Sequence, residues 1–446
     1  MNKAVLAAVV AAAALSGVIL AVVLSGGGGD DTTPGTSPTT GAQASTGTSS
    51  TAPATTGDPT TRREDTGRST TSAAPAPPPP APRGPRAKTF LVGTVDDSLA
   101  QRDPQFAQSQ ADVSHDAGFD TAVISARWQS GQRHPPASLT SILRTVSNST
   151  RKAHLQLALV AWHGLGRDTP QTPADRAEFA AWAAALVTAL PRVRYAVVGN
   201  EPNLSTFWKP QFGAGGSDLA ARNYADLLAR SYDAIKAARP NVLVLGGALS
   251  PRGGDRPGGS RPTHSPTAFI RDLGAAYRAS GRRRPLMDAF AFHPYMEASR
   301  DSPTAAHPEN TTITLADYPK LVALLAQAFR GTAQPGSRLP VYYTEFGVQT
   351  AVPAAKRRFY SDLESPARTD SVSFATQAAY YRRALQLAYC QPTVRGLFVF
   401  HTFDEPNVGG WQSGLYFADR TPKPSLPAFK RAVADLRTGK LGSCPR

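Results

Sequence analysis

The sequence predicts an α/β protein whose main part is a (β/α)8 TIM barrel. Two observations lead to this prediction. From residue 88 onward, eight short apolar runs alternate with segments long enough to form helices, and these runs are apolar almost without interruption. Such runs are typical of parallel strands that are covered on both faces. Eight strand–helix units in residues 88–446 suit a barrel with long loops.

The predicted strands are residues 90–95, 121–125, 155–160, 195–199, 242–245, 289–292, 341–344 and 397–400. The predicted helices are approximately residues 104–117, 138–152, 173–189, 217–238, 265–279, 315–330, 373–389 and 424–436. The alternative fold is an open doubly wound sheet. Asp96 and Asp97 follow the first predicted strand and argue against it, because such sheets carry a glycine-rich phosphate-binding turn there.

The N-terminal part of the chain predicts a membrane-directed helix and a linker. Residues 4–24 are uncharged and mostly apolar, and as a helix they would span about 31 Å, close to the ~30 Å hydrocarbon core of a bilayer. No small-x-small cleavage site follows, so residues 1–24 favour an uncleaved signal anchor over a cleaved signal peptide, with the body outside. Residues 25–87 are rich in Ser, Thr, Pro and Gly and predict a disordered linker.

The formal net charge of the chain is +15. This charge indicates either a polyanionic partner or an arginine-rich composition with its charges spread thinly. The second interpretation is favoured, because the densest basic run is only residues 282–284. No nucleic-acid partner is expected.

Cysteine usage argues against a structural zinc site, because the chain has only two cysteines and no Cys/His cluster. In an exported protein, Cys390 and Cys444 are candidates for a disulfide bond. The alternative is two free, buried thiols.

Polar residues follow most of the predicted strands, where the active sites of barrel enzymes lie. They include Asp96, Arg127, His163, Asn200, Glu201, His293, Tyr295, Glu345 and His401. The carboxylates Glu201 and Glu345 follow the fourth and seventh strands, on nearly opposite sides of the predicted mouth. Hydrolysis of a glycosidic bond requires two such groups, one to protonate the leaving oxygen and one to act at the anomeric carbon.

Four motifs carry a family resemblance that extends over the chain from about residue 88. Residues 199–204, with the sequence GNEPNL, resemble the fourth-strand signature of glycoside hydrolase clan A, especially family 39. Residues 343–347, YTEFG, resemble the seventh-strand nucleophile motif of families 5 and 39. Residues 292–295, FHPY, resemble the sixth-strand motif of the same clan, and residues 414–424 resemble its last-strand exit.

The resemblance implies that Glu201 is the general acid/base and Glu345 the nucleophile. It also implies roles for residues around this pair. Asn200 would bond the sugar 2-hydroxyl, Arg127 and Tyr295 would hold Glu345 ionised, His293 and His163 would line the reacting subsite, and Trp411 would form a platform for a sugar ring. The strand-end position of Asp96 makes it a further candidate for substrate contact.

The sequence therefore predicts a retaining glycoside hydrolase that acts, as a monomer, on a β-linked polysaccharide or oligosaccharide outside the cell, either anchored to the membrane or secreted. Two carboxylates and water suffice for this reaction, so no metal or cofactor is expected. Two alternatives remain. One is a catalytically inactive carbohydrate-binding barrel at the cell surface, and the other is a wall protein that holds acidic polymers through its positive charge.

Overall fold

The protein forms a closed barrel of eight parallel strands in chain order. The computed structural model describes residues 89–259, 261–365 and 368–444. The strands are β1 (Leu91–Val95), β2 (Thr121–Arg127), β3 (Gln156–Trp162), β4 (Val193–Val198), β5 (Leu243–Leu249), β6 (Ala289–Phe292), β7 (Val341–Phe346) and β8 (Val394–Phe400). Because β1 pairs with β8, the predicted barrel is confirmed and the open sheet is excluded.

Eight α-helices of the described residues cover the barrel. They are α1 (Pro104–Asp116), α2 (Ala137–Lys152), α3 (Pro173–Ala189), α4 (Leu219–Ala238), α5 (Pro266–Ala279), α6 (Tyr318–Ala328), α7 (Phe374–Cys390) and α8 (Leu426–Arg437). None of them is both long enough and apolar enough to cross a membrane. The predicted N-terminal helix (1–24) and linker (25–87) lie outside the described residues.

The strands are apolar throughout because each face of the sheet meets a different core. In β2, Val123 belongs to the smaller core cluster, which fills the barrel interior. Its neighbours Ala122 and Ile124 belong to the larger cluster between the barrel and the helices. Successive side chains of a strand point to opposite faces, so both sets of positions must be apolar.

Local signals position several helices. Thr172 caps α3 in a reciprocal capping box with Asp175, and Asp218 caps α4 by accepting the Ala221 N–H. The predicted strand starts differ from the observed ones by one to three residues at β1, β3, β4, β5 and β8. The largest difference is at β8, which begins at Val394 instead of residue 397. Arg395 interrupts the apolar pattern there, and its half-buried side chain donates to the Pro392 carbonyl.

The last predicted helix before β7 also differs. Residues 315–317 form a separate 3-10 turn, and α6 starts only at Tyr318. Thr314 and Asp317 make reciprocal hydrogen bonds that stabilise this turn as an element of its own. The α-helix therefore starts after the turn, at Tyr318.

Candidate active site

Glu201 and Glu345 lie close together at the mouth of the barrel. Glu201 stands three residues after the end of β4, and Glu345 is the penultimate residue of β7. One carboxylate oxygen of each, together with one ring nitrogen of His293, lie within 4.8 Å of one another. Two carboxyls at this separation can act on the same small group, one as a proton donor and the other as a nucleophile.

The backbone around Glu201 is held in an unusual conformation. Glu201 has φ = +39°, and its N–H donates to the carbonyl of Ala248, which has φ = +49°. Left-handed conformations are unfavourable for residues other than glycine and concentrate at functional sites. The bond between these two residues fixes the segment after β4 against the end of β5, and it buries Glu201 to 6% exposure.

Asn203 fixes the same two segments from the other side. Its side-chain oxygen accepts the Ser250 N–H at 3.0 Å, and its amide nitrogen donates to the carbonyls of Ser250 and His264. Asn203 is fully buried. Asn203 belongs to the fourth-strand motif, but the motif by itself does not indicate this structural role.

His293 lies between the two carboxylates. Its Nδ1 is 3.1 Å from Glu201 Oε1 and 3.5 Å from Glu345 Oε2. Burial disfavours the charged imidazole, but the negative charges of Glu345 and Glu201 outweigh it, so the pKa of His293 is raised. His293 therefore links the two carboxyls through one shared nitrogen.

Tyr295 supports Glu345 directly. The Tyr295 hydroxyl donates to Glu345 Oε2 at 3.0 Å. Burial raises the pKa of Glu345 to about 7, the positive charge of His293 and the Tyr295 hydrogen bond oppose this rise, and Glu201 adds to it. The positive charge of His293 therefore favours the ionised form of Glu345, and the negative charge of Glu345 favours the protonated form of His293.

Trp411 packs behind Tyr295. The two ring centroids are 5.1 Å apart, and a second contact joins Trp411 to Phe400. Trp411 is only 6% exposed, so its main observed contribution is to support the tyrosine. The backbone N–H of Trp411 donates to Glu405, and burial raises the pKa of this carboxyl to about 7.

Asn200 has the placement expected of a substrate-binding residue. It immediately precedes Glu201 and is half-buried. Within the described part of the chain, its side-chain amide has no hydrogen-bond partner, so its donor and acceptor are free for a ligand.

Arg127 and His163 form a separate group at the ends of β2 and β3. The Arg127 guanidinium donates to Asp168 at 2.7 Å and to the His163 carbonyl, so an ion pair with Asp168 replaces the expected contact with Glu345. The His163 ring packs edge-on against Trp208. Burial lowers the pKa of His163 to about 4, so it is neutral near pH 7.

Asp96 is placed differently from expectation. Its carboxylate is 2% exposed and accepts the backbone N–H groups of Ser98, Thr402 and Phe403. These bonds join the end of β1 to the segment after β8. The Asp96 carboxylate is therefore occupied by the backbone, in place of the predicted contact with substrate. The neighbouring Asp97 accepts the Ser125 N–H, and its charge contributes to the raised pKa of Glu345.

A buried ion pair that was not predicted from the sequence organises the segment after β8. Lys423 Nζ lies 2.7 Å from Asp404 Oδ1, and both side chains are at most 1% exposed. Lys423 also donates to Thr350 and to the Gln412 carbonyl. It lies within the last-strand exit motif, which was the available signal. Through its bond to Thr350, Lys423 connects the segments after β7 and β8, and its bond to the Gln412 carbonyl fixes the loop that carries Trp411.

Glu201, His293 and Glu345 are also the one group of side chains in the described ranges whose spacing could hold a metal ion.

Comparisons with known proteins bear on the fold. No protein-family model matches the chain, and no curated protein sequence matches it. A family 39 glycoside hydrolase from Bacteroides cellulosilyticus WH2 is similar in structure, with a TM-score of 0.55 and 18% identity, over 80% of this chain and 66% of that one. This chain thus spans slightly less than two thirds of that enzyme's length.

Two further solved structures are similar. A GH5_18 protein from Streptomyces cattleya, crystallised with GlcNAc, gives a TM-score of 0.52 and 18% identity over 80% of this chain and 82% of that one. A GH5_18 protein from Bifidobacterium longum subsp. infantis gives a TM-score of 0.52 and 14% identity over 78% of this chain and 79% of that one. The chain has the fold of these glycoside hydrolases.

Proposed function

We propose that this protein is a retaining glycoside hydrolase that cleaves β-linked glycosidic bonds. The observation that carries the proposal is the separation of at most 4.8 Å between the nearest Glu201 and Glu345 oxygens. Retaining enzymes place their carboxyls ~5–5.5 Å apart, whereas inverting enzymes need ~6.5–9.5 Å to admit a water molecule.

We assign the roles from the motifs that carry the two carboxyls and from the Tyr295 hydrogen bond at Glu345. Glu345, which accepts the Tyr295 hydroxyl, attacks the anomeric carbon while Glu201 transfers its proton to the departing glycosidic oxygen. This gives a glycosyl ester on Glu345. Glu201 then takes a proton from water, the water oxygen displaces Glu345, and the product keeps the configuration of the substrate.

Asn200, His293 and Tyr295 form the proposed wall of the reacting subsite, with His163, Arg127 and Trp411 at its margins. The unpartnered Asn200 amide is the group proposed to bond the sugar 2-hydroxyl. The Cys390–Cys444 disulfide and the apolar N-terminal run support a site of action outside the cell, as a secreted or membrane-anchored monomer.

The test is turnover of a panel of carbohydrates by the full chain. The panel contains β-glucans, β-xylans, β-mannans, bacterial exopolysaccharides and Manβ1-4GlcNAc, the disaccharide crystallised with a Streptomyces cattleya GH5_18 variant. NMR of the first-formed product should show the anomeric configuration of the substrate.

Variants of the two carboxylates make this test specific. Glu345→Gln should lower kcat/KM by about 10⁴-fold or more, and Glu201→Ala by about 10²–10⁴-fold, less on substrates whose leaving group needs no proton. Glu297→Gln is the matched control, because this exposed carboxylate lies beyond β6. Sugar binding without turnover on any substrate, with Glu345→Gln indistinguishable from the natural protein, would support the inactive binding barrel instead.

A further inference from the structure

The end of the barrel opposite the candidate site carries a concentration of positive charge. In a parallel barrel, all strands begin at this end, and the segments that lead from each helix to the next strand meet there. These segments contain seven arginines and only two aspartates. The loops at the mouth contain fourteen basic and seventeen acidic residues, so the excess is specific to the opposite end.

Eight cations on this end are exposed and form no ion pair within the described part of the chain. We call them the basal face: Arg151, Lys152, Arg192, Arg194, Arg283, Arg330, Arg338 and Lys440. No acidic side chain of the described residues therefore neutralises these charges.

The acidic residues near the basal face do not offset these charges, because most are already paired with other cations. The four pairs are Asp120 with Arg437, Asp233 with Arg282, Asp288 with Lys236, and Asp435 with Arg382. Each of these acids neutralises a basic residue outside the set of eight. These four acids therefore do not weaken the attraction between the basal face and an anionic partner.

Helix dipoles account for only part of this pattern. Cations are favoured in the last turn of a helix, and Arg151 and Lys152 end α2. Arg192, Arg283 and Arg338 instead lie in connecting segments, and Arg194 lies in β4. Like charges gathered on one face repel each other, so the arrangement is unfavourable for the isolated barrel and is relieved by a partner of opposite charge.

The spatial distribution of these cations and the path of the chain indicate what kind of anionic partner the basal face binds. The cations come from connections spread around the closed strand order, which suits an extended charged surface more than a single polymer strand. The described chain also begins at this end, since Thr89 and Phe90 lead into the first residue of β1. Residues 1–88 therefore join the barrel here, and they begin with the apolar run 4–24.

We propose that the basal face docks onto the anionic headgroups of a lipid bilayer, with the catalytic mouth directed away from the membrane. This inference does not depend on the hydrolytic activity. A basic residue near an anionic lipid surface contributes roughly 1 kcal/mol. Removal of three such residues should therefore shift the ratio of docked to undocked protein about a hundredfold.

The experiment measures the distance of each barrel face from a membrane in the full chain. A fluorescent donor is attached at Ser337→Cys on the basal face or at Ser130→Cys in the exposed turn after β2, and an acceptor is placed on lipid headgroups. Vesicles contain phosphatidylcholine alone or with one third phosphatidylglycerol. Energy transfer from position 337 should rise in the anionic vesicles and fall again in about 0.5 M salt, while transfer from position 130 stays low.

Two triple variants of equal charge separate the basal face from net charge. The first variant neutralises three basal cations by Arg283→Gln, Arg330→Gln and Arg338→Gln, and energy transfer from its position 337 should no longer rise in anionic vesicles. The second variant neutralises three exposed cations of mouth loops by Arg256→Gln, Arg261→Gln and Arg300→Gln, and its energy transfer should still rise. Residues 1–88 are the same in the natural protein and in both variants, so any membrane binding by these residues does not affect the comparison.

Three results would overturn the proposal. The first is energy transfer that does not depend on anionic lipid, and the second is an equal loss in both triple variants. The third is binding of duplex DNA or hyaluronan that requires the basal arginines while vesicles give no response, which would assign the face to a soluble polyanion.

Discussion

At the scale of single residues, Glu345 is subject to opposing influences. Burial and the neighbouring charge of Glu201 favour its protonated form, whereas His293 and the Tyr295 hydroxyl favour the ionised form. The resulting pKa of about 7 places its titration near neutral pH. A nucleophile must be ionised, so we expect the supporting groups to control the acidic limb of the activity profile.

Replacement of Tyr295 by Phe removes one of the two influences that favour the ionised form. The pKa of Glu345 should rise, and the acidic limb of the pH dependence of kcat/KM should move to higher pH by about one unit. Tyr380→Phe is the control, because that hydroxyl donates to the Arg300 carbonyl outside the carboxyl pair. An unchanged limb in Tyr295→Phe would contradict the role assigned to this hydrogen bond.

Glu345→Gln should stabilise the protein in a pH-dependent way. Below about pH 4.5 the carboxyl is protonated in both the folded and the unfolded chain, so the substitution has little effect. As the pH rises to about 7, the unfolded chain releases this proton while the folded chain retains it, and the natural protein loses stability relative to the variant, by up to ~3 kcal/mol.

Thermal unfolding between pH 4 and 8 measures this difference. The melting temperature of Glu345→Gln should exceed that of the natural protein by a few degrees at pH 8 and match it at pH 4. The exposed Glu364→Gln serves as the control and should show no such trend. A difference that is the same at every pH would show that burial of the charge is not its cause.

At the scale of elements, the segments after β4 and β5 act as one unit. Asn203 bonds the backbone of both Ser250 and His264, and Glu201 bonds the Ala248 carbonyl. The left-handed conformation of Glu201 is maintained because these contacts fix the backbone on both sides of it. The geometry of the acid/base residue therefore depends on a neighbouring strand.

Asn203→Ala should disrupt this unit. It leaves buried backbone groups of Ser250 and His264 without their partner, and each such group costs about 1–3 kcal/mol. Both the melting temperature and kcat/KM should fall. Asn148→Ala on the exposed side of α2 should change stability by less than about 0.5 kcal/mol. Full activity in Asn203→Ala would show that Glu201 keeps its position without the contact.

The elements themselves were largely predictable, while several side-chain contacts were not. The strands were recognised because both faces of each are buried, which makes their sequences continuously apolar. Arg127 was expected to contact Glu345, but its partner is Asp168, a residue of the next loop. The sequence shows that Arg127 follows a strand and does not show which of several nearby carboxylates its guanidinium reaches.

At the scale of the whole molecule, two links join parts of the chain that are distant in sequence. β1 pairs with β8, and the Cys390–Cys444 disulfide joins the C-terminal tail to the end of α7 with a Cα–Cα distance of 5.4 Å. A covalent link across 54 residues of sequence restricts the unfolded chain more than the folded one.

Cys444→Ser should lower the free energy of unfolding by about 2–4 kcal/mol and lower the melting temperature, with little change in kcat/KM because the bond lies at the end of the barrel opposite the mouth. Ser443→Ala is the control. An unchanged melting temperature would mean that the tail separates from α7 before the barrel unfolds.

The sequence by itself determined the eight strand–helix units, the two carboxylates after the fourth and seventh strands, and the motifs around them, because periodicity and short motifs are local properties. Only the tertiary structure decided that His293 bridges the two carboxylates, that Asp96 serves the backbone, and that Asn203 holds the acid/base segment. It also decided where the positive charge lies. The arginines are spread thinly along the sequence, and the closed barrel brings seven of them together with only two aspartates at one end, because every helix-to-strand connection lies there.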